Sequence, residues 1–341
     1  MKNLLDIQRK VIPEALLLLE KRYSILKEIS FSGTVGRRML AQKMNLSERI
    51  VRSEVDFLKE EGLLSIHSAG MDITPLGMEI VERLSSYISQ IRGLSVMQEL
   101  LREKLSIKEV IIAPTSLEIN KNALRDLGKE AGKYFLKHIE PDSIVGLTGG
   151  YTMYEFSQQM PRKDLPNMYI VPARGGLGEV LEIQANTIVA HLASRLNAKY
   201  KLLQIPDSIN KEIIEHFCND PQIRSVYEYI ERLDFLVFGI GNAQDMSIRR
   251  NISSEHWDDL EKAGAVSESF GHYFDINGEI VFETGTVGIK LEQYKKMQHI
   301  IGIAGGKNKA EAILSISKIN PNLVLVTDES AAYSILDRLN K

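Results

Sequence analysis

The stretch Ser143-Ile144-Val145-Gly146-Leu147-Thr148-Gly149-Gly150-Tyr151-Thr152 runs from an apolar segment through a double glycine toward a helical stretch. Six further apolar runs recur along the chain: Glu109–Ile112, Met168–Val171, Tyr200–Gln204, Phe235–Ile240, Ile300–Ala304 and Leu323–Val326. Each is followed by a turn and usually by helical periodicity. Buried strands alternating with helices make an open, mostly parallel sheet covered on both faces. The expected fold class for residues 106–341 is therefore a doubly wound α/β domain, and ligands on such sheets bind outside the carboxyl ends of the strands.

Glycine marks three or four of those strand ends. Turns occur at Leu147–Thr152, at Ala173-Arg174-Gly175-Gly176-Leu177-Gly178, at Gly239-Ile240-Gly241-Asn242, and at Ala304-Gly305-Gly306-Lys307-Asn308-Lys309. Glycine lets backbone N–H groups turn toward a ligand, and a helix start adds partial positive charge. Thr152, Arg174 and Lys309 stand at these turns as donors suited to phosphate oxygens. The chain has neither a Walker A signature nor a G-x-G-x-x-G turn paired with a ribose-binding acid, which disfavours nucleotides. His191, His216, His256 and His272 stand apart without metal-ligand spacing and read as surface or packing residues, as Trp257 reads as packing. No metal and no cofactor is expected.

The N-terminal residues read differently. Pro13–Ser30 has Leu16, Leu19, Tyr23, Leu26 and Ile29 at helical spacing, with proline at a first-turn position. A second helix, Gly36 to Lys43, is expected to bury Met39 and Leu40. Asn45-Leu46 makes a short turn, and Ser47 is placed as N-cap of a third helix, Glu48 to Glu61, with Val51, Val55 and Leu58 on its buried stripe. Arg49, Arg52 and Ser53 lie on another face. Gly62 ends the helix, and Ser65 to Thr74 reads as a two-stranded wing turning at Ala69-Gly70. A short helix, a tight turn and a helix with exposed Arg and Ser form the geometry that enters a major groove. The expectation is a winged helix-turn-helix over residues 1–75, with Arg49, Arg52 and Ser53 at base edges or phosphates and the N-cap Ser47 counted among the DNA contacts. Arg37, Arg38 and Lys43 are read as backbone contacts or solvated charge.

Between these parts, Leu76, Ile80, Leu84, Tyr87, Ile91, Leu94, Met97 and Leu101 recur at about 3.6 residues, which predicts a connecting amphipathic helix over 76–105, interrupted by Gly93. Its stripe packs either on its own domain or on a second chain. A two-fold dimer would grip two half-sites, and dimer and tetramer are both left open.

Composition agrees with two unequal globular domains: 341 residues, 44% hydrophobic and 26% charged. Net charge is −3, yet residues 1–75 carry 12 Lys+Arg against 10 Asp+Glu, so the basic excess lies in the segment expected to meet phosphates. One cysteine, Cys218, cannot form an internal disulfide. With no secretory signal and no apolar run of about 20 residues, a cytoplasmic protein without membrane partners is expected.

Several segments together carry a family resemblance. They are residues 13–75, Val171–Glu179 with Gln184-Ala185-Asn186-Thr187, Gly239-Ile240-Gly241 with Arg249-Arg250-Asn251, Glu268-Ser269-Phe270-Gly271, Ala304-Gly305-Gly306 with Lys309-Ala310-Glu311-Ala312, and Val326-Thr327-Asp328-Glu329. The chain resembles, over nearly its whole length, the SorC group of sugar-responsive transcription repressors, and within it the regulators of central glycolytic genes. The resemblance implies an effector domain on the sugar-phosphate isomerase fold, operator DNA as partner, and fructose 1,6-bisphosphate as inducing ligand. By position it implies that Thr148, Gly149, Gly150, Tyr151 and Thr152 form a phosphate turn. It further implies that Arg174 and Lys309 bind phosphate, that Arg249 lends charge nearby, and that Gln184 and Glu268 hold sugar hydroxyls. The family's turn reads Thr-Gly-Gly-Thr-Thr. Here Tyr151 puts a phenol in the fourth position, which bears on affinity and on the choice among phosphosugars.

The rival reading is a sugar-phosphate isomerase or deaminase with an added DNA-binding domain, because the fold is shared. Glucosamine-phosphate deaminases place Asp-Gly-His shortly after a Gly-Ile-Gly strand end. Here the same point reads Gly239-Ile240-Gly241-Asn242-Ala243-Gln244-Asp245, without histidine. Asp328 and Glu268 are read as hydroxyl acceptors, so no catalytic residue is expected. A sheet domain that serves only assembly is a further alternative, against which the glycine turns with Arg174 and Lys309 stand.

Overall fold

Pro13 sits at the start of a helix, where its missing N–H costs nothing. In the computed structural model, which describes residues 2–118, 123–178, 180–207, 220–285 and 287–340, that helix follows a shorter one. The order is α1 (Lys2–Val11), α2 (Pro13–Ser32), α3 (Arg37–Met44), α4 (Glu48–Glu60), β1 (Leu64–His67), β2 (Gly70–Ile73) and α5 (Pro75–Ile91). Tyr23, Leu26, Leu40, Val51, Val55 and Leu58 meet in one buried cluster. Asn45 adopts a left-handed conformation (φ 52°) that ends α3, and Ser47 Oγ accepts from the Ile50 amide at 3.3 Å to begin α4. The wing pairs Leu64 with Ile73 and His67 with Gly70, and Val35 bridges to Met71.

Three expectations need correcting here. Met39 is 55% exposed, and Ala41 takes its place beside Leu40, so the buried stripe of α3 lies one position further on. Helix α1 was not foreseen. The helix expected over 76–105 is two helices: Gly93 (φ +72°) separates α5 from α6 (Leu94–Leu105). Thr74 caps α5 by accepting from the Gly77 amide at 3.0 Å, while its hydroxyl donates to the Gly62 carbonyl at 2.8 Å. Val81 and Ile88 of α5 belong to the N-terminal core. The chain accordingly divides into compact units Met1–Ser95 and Val96–Lys341. No helix among the described residues is long and apolar enough to cross a membrane.

The second unit continues with β3 (Glu109–Ala113), α7 (Ala123–His138), β4 (Ile144–Leu147), α8 (Tyr151–Gln159), β5 (Tyr169–Pro172), α9 (Ala185–Leu196), β6 (Lys199–Tyr200), α10 (Pro221–Ile230) and β7 (Phe235–Gly239). Then come β8 (Gly241–Asn242), α11 (Ala243–Arg249), α12 (Ser254–Lys262), β9 (Ser267–Ser269), β10 (His272–Phe274), β11 (Ile280–Glu283) and α13 (Leu291–Tyr294). The last elements are β12 (Ile300–Ile303), α14 (Ala310–Ser317), β13 (Leu323–Asp328) and α15 (Glu329–Leu339). The seven expected runs form one sheet in the order β3-β13-β12-β7-β4-β5-β6, and every pairing is parallel. The run expected at Tyr200–Gln204 pairs only at Lys199–Tyr200. Val145, Leu147, Val237, Ile301, Ile303 and Val326 form part of its buried core with Phe135, Phe156 and Leu192.

Chain order reverses between β4 and β7, which places a crevice at their carboxyl ends. Beyond β7 the chain builds a small antiparallel sheet, β11-β10-β9-β8, that was not expected. Tyr273, Ala243 and Leu260 bury under it, with Trp257 packed alongside. Glu179, His216 and Cys218 lie outside the described residues.

Candidate functional site

A cavity of about 440 Å³ opens at the crevice between β4 and β7. Thr148 follows β4, Arg174 follows β5, Gly239 ends β7 and Ala304 follows β12, so four parallel strand ends contribute to one wall. The crevice is stitched by the Thr148 amide donating to the Val237 carbonyl and by the Gly239 amide donating to Thr148 Oγ1, each at 3.3 Å. All ten residues singled out as effector contacts line this cavity: Thr148, Gly149, Gly150, Tyr151, Thr152, Arg174, Gln184, Arg249, Glu268 and Lys309.

The glycine turns differ in what their amides meet. Gly150 (φ +118°) starts α8 without a side-chain cap, whereas at Gly306 (φ +92°) the Gly306 and Lys307 amides donate to Asp328 at 2.9 Å and to Glu118 at 3.4 Å. First-turn amides lack intrahelical partners, so an uncapped start presents donors. The third turn differs: Asn242 Oδ1 accepts from the Gln244 and Asp245 amides at 2.9 and 3.2 Å and uses that helix start internally. The second turn does not open a helix directly, because the chain runs on to Gln184 before α9 begins.

Below the turns lies a buried ion network. Arg174 reaches Asp207 at 2.9 Å and Glu268 at 3.2 Å, and Arg250 reaches the same two carboxylates at 2.8 and 2.9 Å. Asp207, Glu268 and Arg250 are at most 2% exposed. Burial pushes the Asp207 carboxyl up to about 6, with Arg174 opposing the shift. Burial also works against the charge on Arg174, yet Asp207 and Glu268 outweigh it and raise that guanidinium further. Glu268 accepts in addition from the Gly271 amide at 3.1 Å.

Other side chains are committed as well. Gln184 Oε1 accepts from the Leu177 amide at 3.0 Å, and its Nε2 donates to the Leu177 and Gly178 carbonyls at 3.0 and 2.6 Å, so the amide shapes the 177–178 loop. Lys309 Nζ sits 2.9 Å from Asp245. The Arg249 guanidinium lies 5.7 Å from the centre of the Tyr151 ring. Among the described residues of the site, Arg174 and Arg250 balance Asp207 and Glu268, and Lys309 balances Asp245, which leaves the charge of Arg249 over. Asp328 is not a hydroxyl acceptor at the mouth: its carboxylate accepts from the Leu117, Gly306 and Ala331 amides at 2.7, 2.9 and 3.0 Å and fixes the Gly305–Gly306 turn.

Asp207, Asp245 and Arg250 were missed in the sequence. Asp207 follows the run assigned to β6, so its place at a strand end was a usable signal. Arg250 is adjacent to Arg249 in sequence, and sequence alone does not say which of two neighbouring arginines turns inward.

In the N-terminal unit, the structure separates the candidate DNA contacts. Arg49, Arg52 and Ser53 are exposed on α4, and the Arg38 side chain is 92% exposed. Arg37 is half-buried and donates to Asp56 at 2.8 Å. Ser47 is occupied as the α4 cap. Lys43 Nζ reaches Glu28 at 3.1 Å and Ser32 Oγ at 2.8 Å.

Comparison with known proteins matches both parts. Residues 18–88 fit the family model "CggR N-terminal DNA binding domain", and residues 89–337 fit "Putative sugar-binding domain". The chain is 36% identical over 337 residues to the central glycolytic genes regulator of Bacillus subtilis (strain 168), covering 98% of this chain and 99% of that protein. It is 34% identical over 342 residues to the regulator of the same name from Priestia megaterium, with both chains covered fully. A SorC family transcriptional regulator from Enterococcus faecalis superposes with a TM-score of 0.65 at 31% identity, covering 70% of this chain and 99% of that one. The full-length sorbitol operon regulator SorC of Klebsiella pneumoniae shares the fold, with a TM-score of 0.67 at 21% identity over 89% of this chain and 94% of its own. A DNA-binding domain joined to a sugar-binding domain on a parallel-sheet α/β core, together with these likenesses over the whole length, means that the chain belongs to the central glycolytic genes regulators of the SorC family.

Proposed function

We propose that this protein is a repressor of glycolytic genes whose grip on operator DNA is relaxed by a phosphorylated sugar, with fructose 1,6-bisphosphate as the inducer. One observation carries the reading. Arg174, Arg249 and Lys309 converge with the Gly149–Gly150 turn on a single cavity of about 440 Å³, a volume suited to a small phosphosugar. The names of the two full-length relatives support glycolytic genes as the target. The protein acts as a homo-oligomer, dimer or tetramer, so that two wings engage two half-sites, and it works in the cytoplasm where its operator lies. Arg49, Arg52 and Ser53 supply the groove contacts, with Arg38 on the backbone.

Effector binding changes operator affinity through differential affinity for two arrangements of the protein, and a coupling of about 1–3 kcal/mol would alter it roughly 5- to 150-fold. The cavity is not read as catalytic. No histidine lines it among the described residues, and Glu268 is saturated by two arginines and an amide. The test is a thermal-shift panel of fructose 1,6-bisphosphate, fructose 6-phosphate and glucosamine 6-phosphate, repeated as a mobility-shift assay with promoter DNA. A melting temperature that rises with ligand, and DNA released by the same ligand, is the expected result. No shift at millimolar phosphosugar would reject the site, and turnover of either monophosphate would favour the enzyme reading.

A further inference from the structure

Lys309, the lysine placed for a phosphate, is already occupied. Its ammonium lies 2.9 Å from Asp245, with the two side chains 21% and 46% exposed. Both residues line the cavity, so the pair stands where an anion would enter. Asp245 is the third residue of α11, a position whose carboxylate commonly reaches back to the capping residue's amide. Here it turns to Lys309 instead, on a segment that follows a different strand. Arg249 follows Asp245 by four residues on α11 and also lines the cavity. Residues at this spacing are neighbours on a helix surface, and an acid preceding a base is the favourable order.

From this geometry we infer that Asp245 is a specificity-determining residue: a carboxylate that competes with the ligand for Lys309, so that only a dianionic phosphoryl group displaces it. The inference rests on the reading of the cavity as a phosphosugar site. A sugar without phosphate brings nothing to exchange for the carboxylate, and a sugar acid offers one carboxylate for another. A phosphoryl dianion brings twice the charge and three acceptor oxygens to a lysine that offers three donors. Once displaced, Asp245 has Arg249 one turn away as a new partner. A second tie between the same segments, Asn242 Nδ2 to the Asn308 carbonyl at 3.2 Å, does not involve Lys309 and holds the wall while the ion pair opens.

The test is isothermal titration of the full-length protein with fructose 1,6-bisphosphate for four forms: wild type, Asp245→Asn, Lys309→Ala and the double variant. Loss of a competing, half-exposed ion pair predicts that Asp245→Asn binds roughly 2- to 5-fold more tightly than wild type. On the Lys309→Ala background the same substitution should change affinity little, because the competitor has nothing left to hold. Equal or weaker binding by Asp245→Asn overturns the inference and leaves the phosphosugar reading standing. Equal tightening with and without Lys309 also overturns it, since Asp245 would then act only as a diffuse negative charge. Wild-type protein that binds no phosphosugar rejects the underlying reading itself.

Discussion

Arg250 and Glu268 lie 2.9 Å apart with side chains 2% and 1% exposed, and they form the floor on which Arg174 rests. The arrangement places two guanidinium groups between two carboxylates, so the cavity stands on a charge-balanced base. That base fixes Arg174, which is 15% exposed, at the junction of β5, the 205–207 segment and β9.

Replacing Arg250 with alanine removes one of two cations from a buried pair of carboxylates. Breaking a buried ion network from one side costs about 3–5 kcal/mol, because the charge left behind has no solvent. Urea unfolding of Arg250→Ala should show a loss of this size in the C-terminal unit. A change below about 1 kcal/mol would mean that the network relaxes into water.

How far the sequence carries can be seen at particular residues. The seven parallel strands were legible because Ile144, Val145, Ile301 and Val324 sit in short apolar runs each followed by a turn, and both faces of a parallel sheet are buried. Strands β8 to β11 were not legible, because runs of two to four residues such as Gly241–Asn242 carry no period. Cavity residues next to Gly149, Gly175 and Gly305 could be picked out because glycine announces the turn. Asp245 could not, since its role arises from a partner 64 residues away in sequence, and Asp207 offered only its place at a strand end, its partner lying 33 residues away. Met39 failed for a simpler reason: in an eight-residue helix the buried stripe rests on two or three side chains, and its phase is poorly fixed.

Asp207 should leave a mark on the pH dependence of stability. Its carboxyl is raised from 3.8 to about 6 in the folded chain, so between these values the folded state holds a proton that the unfolded state has lost. Its contribution to stability is therefore full below about pH 4 and is lost as pH rises through about 6. Denaturation of Asp207→Asn across pH 4 to 7 should lack this downward slope relative to wild type. Parallel curves for the two proteins would place the Asp207 titration outside this window.

The arginines of the N-terminal unit should divide by partner. Arg49 and Arg52 are exposed on α4, and among the described residues Arg52 has a distant acid, Asp56 at 4.0 Å, so alanine at either should weaken DNA binding and spare folding. Removing a side chain that neutralises one phosphate lowers the slope of log affinity against log salt by about 0.9, whereas removing one that reads a base costs about 1–3 kcal/mol at that base. Arg37→Ala should instead lower the melting temperature, since its bond to Asp56 ties α3 to α4. Mobility shifts at three salt concentrations, paired with thermal melts, separate the two classes. Equal loss of DNA binding in all three variants without any change in melting would undo the division.

Gly175 and Gly178 lie three residues apart in the same turn, yet alanine should act on them by different routes. A Cβ on Gly175 would stand 2.7 Å from the Ile205 carbonyl oxygen and 2.9 Å from both the Cα and the N of Asp207, all of them backbone. The two segments are also laced together: the Gly176 amide donates to Ile205 at 2.9 Å, and the Asp207 amide donates to Gly176 at 2.7 Å. A methyl group there must push apart the segments that carry Arg174 and Asp207, at about 1–3 kcal/mol, and should weaken phosphosugar binding in step. Gly178 has open space around it but a φ of +77°, so alanine strains only its own backbone, at about 1–2 kcal/mol. Both variants should lose comparable stability in urea, while only Gly175→Ala should lose ligand affinity by more than about tenfold, the equivalent of roughly 1.4 kcal/mol. An affinity loss shared equally by Gly178→Ala would mean that the loop as a whole, rather than the spacing of Arg174 and Asp207, sets the strength of binding.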